Sequence, residues 1–120
     1  MRILVVDDAP EISMLMEDIL KPAGYEVSAA PNADAGLERI RRDRPDLILL
    51  DVMMPGKNGF DFCAELKKTT FADIPVIMVT VKRDKVDFDR AKAVGAIDYL
   101  VKPFDPDELV EKIKKILKPA

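Results

Sequence analysis

The stretch LILLDVMMPGKNGF, residues 47–60, opens with four aliphatic residues, stops on a bare carboxylate at Asp51, and then bends at Pro55, Gly56 and Gly59. A short aliphatic run bounded by turn residues reads as a strand covered on both faces, as in a parallel sheet flanked by helices. Such a strand has no structural use for an unpaired negative charge at its end. Asp51 therefore marks where function is to be sought, and the Pro and Gly turns after it are expected to leave room above an exposed side chain. Working outward, RILVV (2–6) and PVIMV (75–79) repeat the aliphatic pattern. YEVSAA (25–30) alternates as an edge strand does, with Tyr25, Val27 and Ala29 on one side, and AIDYLV (96–101) is a fifth, mixed run.

Helical patterns lie between these runs. Ile12, Leu15, Met16, Ile19 and Leu20 follow the stripe of an amphipathic helix. Asn32 can cap a second helix that carries Leu37 and Ile40. In the last helix Asp105, Pro106 and Glu108 have capping-box spacing, followed by an apolar face of Leu109, Val110, Ile113, Ile116 and Leu117. The segment 84–94 is weakly amphipathic, with Phe88, Ala91 and Val94 as its best stripe, and is expected to be loosely held. This (βα)5 alternation predicts an α/β fold: a doubly wound, open, parallel five-stranded sheet with right-handed crossovers. With the alternating strand at the edge, the order is 2-1-3-4-5, and one domain spans 1–120. Five strands are too few to close a (β/α)8 barrel. Open sheets of this kind bind ligands beyond the carboxyl ends of their strands.

The composition narrows the chemistry. Among 120 residues there is no histidine, so neither Ser-His-Asp catalysis nor a His-ligated zinc can be assembled from this chain alone. The single Cys63 excludes an internal disulfide, and its stripe with Gly59, Phe62 and Leu66 makes it a buried structural thiol. A net charge of -3 gives no basic surface for nucleic acid, and no apolar run is long enough to cross a membrane. The start MRILVVDD lacks a signal peptide, so the expected location is cytoplasmic.

Four strand ends carry reactive side chains. The first strand ends in Asp7 and Asp8, the third in Asp51, the fourth in Thr80 and the fifth in Lys102. Singly, each Asp reads as a cap or turn residue, Thr80 as a turn hydroxyl and Lys102 as a solvated charge. In the predicted strand order they converge on one pocket. Two carboxylates 4 Å apart repel by roughly 4 kcal/mol at an effective dielectric near 20. Three carboxylates with one lysine therefore raise a pKa or recruit a cation, and all-oxygen ligands favour Mg²⁺. Asp51, the central carboxylate, is the best nucleophile, because carboxylates form acyl phosphates in phosphoryl transfer.

These motifs, VVDD (5–8), LLDVMMPGKNG (49–59), VIMVT (76–80) and DYLVKPF (98–104), resemble those of the response-regulator receiver domain of two-component signalling. The resemblance implies the flavodoxin-like sheet and an Asp51 that accepts a phosphoryl group from a histidine kinase or histidine phosphotransfer protein. The donor histidine then belongs to the partner. It implies Mg²⁺ held by Asp8, Asp51 and the carbonyl of Met53, with Asp7 acting largely through water. Thr80 and Lys102 would contact the phosphoryl oxygens, a cis Lys102–Pro103 bond would hold the lysine inward, and Tyr99 would be the switch aromatic that follows Thr80. The signal would leave through the face of the fourth helix, fifth strand and fifth helix, toward an output domain or target protein. Arg90 and Glu108, with Asp98 and Lys112, partly match charges that receivers of transcription factors pair across a phosphorylation-linked homodimer, although Ala93 stands where an acidic residue is common. Such a domain catalyses its own phosphoryl transfer and slow dephosphorylation, as a signalling protein rather than a turnover enzyme. Val81 departs from the family, which usually has a small residue after the switch Thr. It is expected, with Met53, to narrow access to Asp51.

Other readings fit less well. A flavin mononucleotide binder of the same architecture needs Ser, Thr and Gly where this chain has DDAP. A haloacid-dehalogenase-type phosphatase has a second Asp two residues after the first, where Met53 stands here. PGKNG lacks phosphate-loop spacing. The main alternative is an unphosphorylated pseudo-receiver that serves as a protein-interaction module. Whether the chain acts alone or within a longer regulator is not written in these residues.

Overall fold

The computed structural model describes residues 1–118. The elements run β1 (Arg2–Val6), α1 (Pro10–Leu20), β2 (Glu26–Ala30), α2 (Ala33–Arg42), β3 (Leu47–Leu50), α3 (Gly59–Leu66), β4 (Val76–Thr80), α4 (Lys85–Ala93), β5 (Asp98–Val101) and α5 (Pro106–Ile116). All strand pairs are parallel, and the order is β2-β1-β3-β4-β5. The predicted architecture is the observed one.

Alternation along each strand divides the core in two. Leu4, Val6, Ile48, Leu50, Val76 and Met78 face a layer that includes Ile40, Phe62, Leu66 and Ala91 of α2, α3 and α4. Ile3, Val5, Leu47, Leu49, Ile77 and Val79 face Met16, Leu20, Leu109 and Ile113 of α1 and α5. Both faces of the central strands are thus covered, which is why their sequences are continuous aliphatic runs. Cys63 is buried on the α3 stripe, with its thiol 3.4 Å from the Val94 carbonyl.

Several local expectations are corrected. Leu15 is 43% exposed, because α1 turns Met16 and Leu20 fully inward and leaves Leu15 at the margin of its stripe. Asp105 accepts from the N–H of Asp107 at 2.9 Å, and the reciprocal bond from the Asp105 N–H to Glu108 is not made. Asn32 caps α2 as expected, accepting from the Ala35 N–H at 2.8 Å. In α4 only Ala91 is buried, while Val86 and Phe88 are exposed, in keeping with its weak amphipathicity.

Candidate functional site

Register builds the site. Val6 pairs with Leu50, so Asp7 and Asp51 leave neighbouring strands at the same level. Their backbones continue the ladder: the Asp7 N–H donates to Ala30 O at 3.1 Å and the Asp51 N–H to Val6 O at 3.0 Å. Thr80 pairs with Val101, and the next residue, Lys102, donates its N–H to Thr80 O at 2.9 Å. Lys102 then reaches back across the sheet. Its Nζ donates to Asp7 Oδ2 at 2.7 Å and to Asp51 Oδ2 at 3.3 Å. The Lys102–Pro103 bond is cis.

Asp51 is not exposed, as the sequence had suggested, but only 6% accessible. The loop after it folds back instead of opening a space. The Gly59 N–H donates to Val52 O at 2.9 Å, and a Cβ on Gly59 would lie 2.2 Å from the Asp51 carbonyl oxygen. Only glycine permits that approach. Gly56, at φ +78°, makes the preceding reversal. The Met53 N–H donates to Asp51 Oδ1 at 3.2 Å. Asp7 is equally buried and takes the Ala9 N–H at 2.9 Å, whereas Asp8 is exposed. The lysine's nearer partner is therefore Asp7, a direct contact beyond the water-mediated role expected of that residue.

Burial pushes the Asp51 carboxyl above its usual range, against the pull of Lys102 and the Met53 N–H, while the Asp7 charge adds to the rise. The Thr80 hydroxyl favours the anion least, since it makes no full hydrogen bond. Burial alone would lower the Lys102 ammonium, but the hydrogen bond to Asp7 and the charges of Asp51 and Asp7 leave it raised. Among the described residues Thr80 Oγ1 has no hydrogen-bond partner although it is fully buried, an arrangement that normally costs stability. Asp7, Asp8 and Asp51 each present an oxygen within 4.8 Å of the others. Three carboxylates and one ammonium leave two negative charges in excess. The orphaned hydroxyl and that excess fit a hard divalent cation beside an incoming anion.

Around the site, Tyr99 is half-buried and its hydroxyl donates to Lys82 O at 2.9 Å. Its ring meets Phe88 edge-on at 4.6 Å. Burial, then the charges of Asp87 and Asp51, push its phenol up to about 12. Val81 and Met53 are each 53% exposed, so Val81 is not consumed in packing on α4. Sequence reasoning missed the Ala9 N–H on Asp7, the Tyr99–Lys82 bond and the close approach of Gly59. For the last, the only signal was a glycine at the start of a helix, after Asn58. Arg90 makes a contact within the chain that the sequence did not suggest. It turns toward α3, with its guanidinium 4.6 Å from the Phe60 ring centre and 3.6 Å from Asp61. Lys112 pairs with Asp98 at 3.1 Å within the chain. No helix among the described residues is long and apolar enough to cross a membrane.

Comparison with known proteins agrees with this geometry. The chain is 41% identical to the transcriptional regulatory protein BaeR of Escherichia coli over 98% of its own length and 48% of that protein's. It spans about half the length of the curated relatives it matches. It superposes on the chemotaxis protein CheY4 of Vibrio cholerae with a TM-score of 0.90 at 33% identity, covering 97% of this chain and 98% of that one. The BeF3-activated N-terminal receiver domain of Klebsiella pneumoniae RstA gives 0.92 at 30% identity, covering 99% and 100%. The sequence model of the response regulator receiver domain matches residues 3–114. With its parallel sheet and its cluster of strand-end aspartates, this chain belongs to the response-regulator receiver domains of two-component signalling.

Proposed function

We propose that Asp51 is the phosphoryl acceptor of this receiver and that residues 1–120 act as one unit. The observation that supports the reading best is the meeting of Asp7, Asp51, Thr80 and Lys102, from four strand ends, in one buried pocket with an unpartnered hydroxyl. The Asp51 carboxylate attacks the phosphorus of a phosphohistidine on a sensor kinase or phosphotransfer protein. An O–P bond forms at Asp51, the donor N–P bond breaks, and its electron pair returns to the imidazole. Lys102, already 3.3 Å from Asp51, neutralises charge on the transferred oxygens, and Thr80 donates to one of them. Asp8, Asp51 and the Met53 carbonyl would hold Mg²⁺, with Asp7 behind them on Lys102. The ion supplies the charge neutralisation that brings a phosphoryl group to an anionic pocket.

The output is a change in the face of α4, β5 and α5, as Thr80 is drawn toward the phosphoryl group and Tyr99 leaves the Lys82 carbonyl and turns inward. That face is presented to an output domain or target protein in the cytoplasm. Its use in a homodimer requires Arg90 and Lys112 first to leave Asp61 and Asp98. Intact-mass measurement after treatment with acetyl phosphate and Mg²⁺ tests the acceptor. One phosphoryl group is expected on the native chain and none on Asp51→Asn. Undiminished labelling of the variant moves the acceptor elsewhere, and an unlabelled native chain returns the molecule to the interaction-module reading.

A further inference from the structure

The helix α4 has little to hold it. It buries Ala91 alone, exposes Val86 and Phe88, and faces α3 across a cleft of about 550 Å³ lined by Met53, Met54, Asn58, Lys82 and Asp87. The carboxyl end of α4 is anchored, with Ala91 and Val94 in the core layer and the Cys63 thiol 3.4 Å from the Val94 carbonyl. The cleft itself is bridged from the last turn of α4. Arg90 lays its guanidinium 4.6 Å from the centre of the Phe60 ring and 3.6 Å from Asp61 Oδ1. Phe60 is 2% exposed, so the cation sits on a ring that cannot move without disturbing the core.

Phe60 is also mechanically close to the acceptor. It follows Gly59, whose amide bonds to Val52 and whose Cα is pressed on the Asp51 carbonyl. The first turn of α3 is thus fixed to the acceptor loop on one side and to α4 on the other. From α4 the chain runs back through residues 81–84 to Thr80, and the Lys82 carbonyl in that segment receives the Tyr99 hydroxyl at 2.9 Å.

We propose that Arg90 is a clamp between α4 and the acceptor loop, and that its grip on Phe60 and Asp61 opposes the movement of the Thr80 segment toward an anion bound at Asp51. This rests on the reading of Asp51 and Thr80 given above. The argument for direction is geometric. Thr80 Oγ1 is buried and unpaired where it stands, so an oxygen added at Asp51 would draw it, and with it the segment between β4 and α4, toward the acceptor. The Tyr99–Lys82 bond holds that segment directly, and Arg90 holds the helix it leads into. A contact that favours one of two arrangements lowers the apparent affinity of any ligand that needs the other.

The test uses the full chain and two measurements. Hydrogen exchange without any added anion reads the clamp itself. In Arg90→Ala the α4 amides are expected to exchange about two- to fivefold faster, the range given by an exposed cation–π contact. Amides of β1 and β3 should be unchanged. Titration with beryllofluoride in the presence of Mg²⁺ reads the coupling, with an expected two- to fivefold tightening, on the order set by the same contact. Arg90→Lys, which keeps the charge but loses the planar stacking, should fall between. Asp61→Asn leaves the ring intact and provides a second variant at an exposed position. Unchanged α4 exchange in Arg90→Ala overturns the clamp. Faster exchange with unchanged or weaker beryllofluoride binding overturns its coupling to the site. If the native chain binds no beryllofluoride, the acceptor reading fails, while the exchange measurement still decides the clamp.

Discussion

At the amino ends of the strands Arg2 meets Glu26 at 3.4 Å and Asp43 at 3.7 Å, and its N–H donates to Asp46 at 2.7 Å. At the carboxyl ends of the same sheet Lys102 meets Asp7 at 2.7 Å and Asp51 at 3.3 Å. The charges are alike and their surroundings are not. The Arg2 side chain is 55% exposed, against 14% for Lys102 and 8% or less for its two partners. Water screens the first group, and exposed pairs of that kind contribute at most about 1 kcal/mol. The second is desolvated, so each charge depends on the others. A groove of about 220 Å³ beside Arg2, Glu26 and Asp43 holds nothing buried and reactive. Concavity alone does not mark a site.

The largest expected effect breaks the buried group. Lys102→Met strands two carboxylates and should destabilise the fold by about 3–5 kcal/mol in urea. Arg2→Met should change it by no more than about 0.5 kcal/mol. Equal losses would erase the contrast between the two ends. The folded Lys102 pKa is raised, so its contribution is complete below the ordinary lysine value of 10.5 and is lost as pH climbs through the folded one. The native chain should therefore lose stability in alkali more steeply than Lys102→Met.

Mg²⁺ sharpens the comparison from the other side. At a hundredfold excess over its dissociation constant it should stabilise the native chain by about 2.7 kcal/mol, read as a rise in Tm. Asp8→Ala should abolish the rise, and Arg2→Met should leave it intact. A chain indifferent to tens of millimolar Mg²⁺ would argue against a metal at the strand ends.

Asp51→Asn is expected to stabilise the metal-free protein by about 1–3 kcal/mol at neutral pH, by removing a charge that burial disfavours. The sign follows from its raised pKa, which makes the ionised form the costly one in the folded state. The gain should shrink as pH falls toward 3.8, where the native carboxyl is protonated as well. Asp43→Asn, at the exposed end, should show no such gain.

The smallest effect concerns access. Val81 is stiff at χ1 and half-exposed. Val81→Ala should accelerate acyl-phosphate decay severalfold without changing stability. Equal decay rates would mean that Val81 does not limit the approach to Asp51.

Much of this was legible in the residues. RILVV and LILL are strands over their whole length because both faces are buried, and a side chain there has one acceptable chemistry. PVIMV was displaced by one residue, since Thr80 closes the strand as a fully buried member. Position 15 was misread because a helical stripe on paper has no edge. In three dimensions α1 meets the sheet along a narrower line, through Met16 and Leu20. The contact of Arg90 with α3 was not legible for a related reason: a helix that buries only Ala91 carries too weak a pattern to fix its rotation.

The sequence by itself determined the alternation of strands and helices, the acidic, hydroxyl and lysine residues at the strand ends, and the family they resemble. Each of these follows from local periodicity or from residue type at a fixed offset. Only the tertiary structure decided that Asp51 is covered, that Lys102 leans closer to Asp7, that Thr80 is left without a partner, and that Arg90 grips α3. Those outcomes depend on contacts between residues as far as 95 positions apart in the chain. Burial and charge are set there by which strands and helices become neighbours, a quantity no local window of sequence contains.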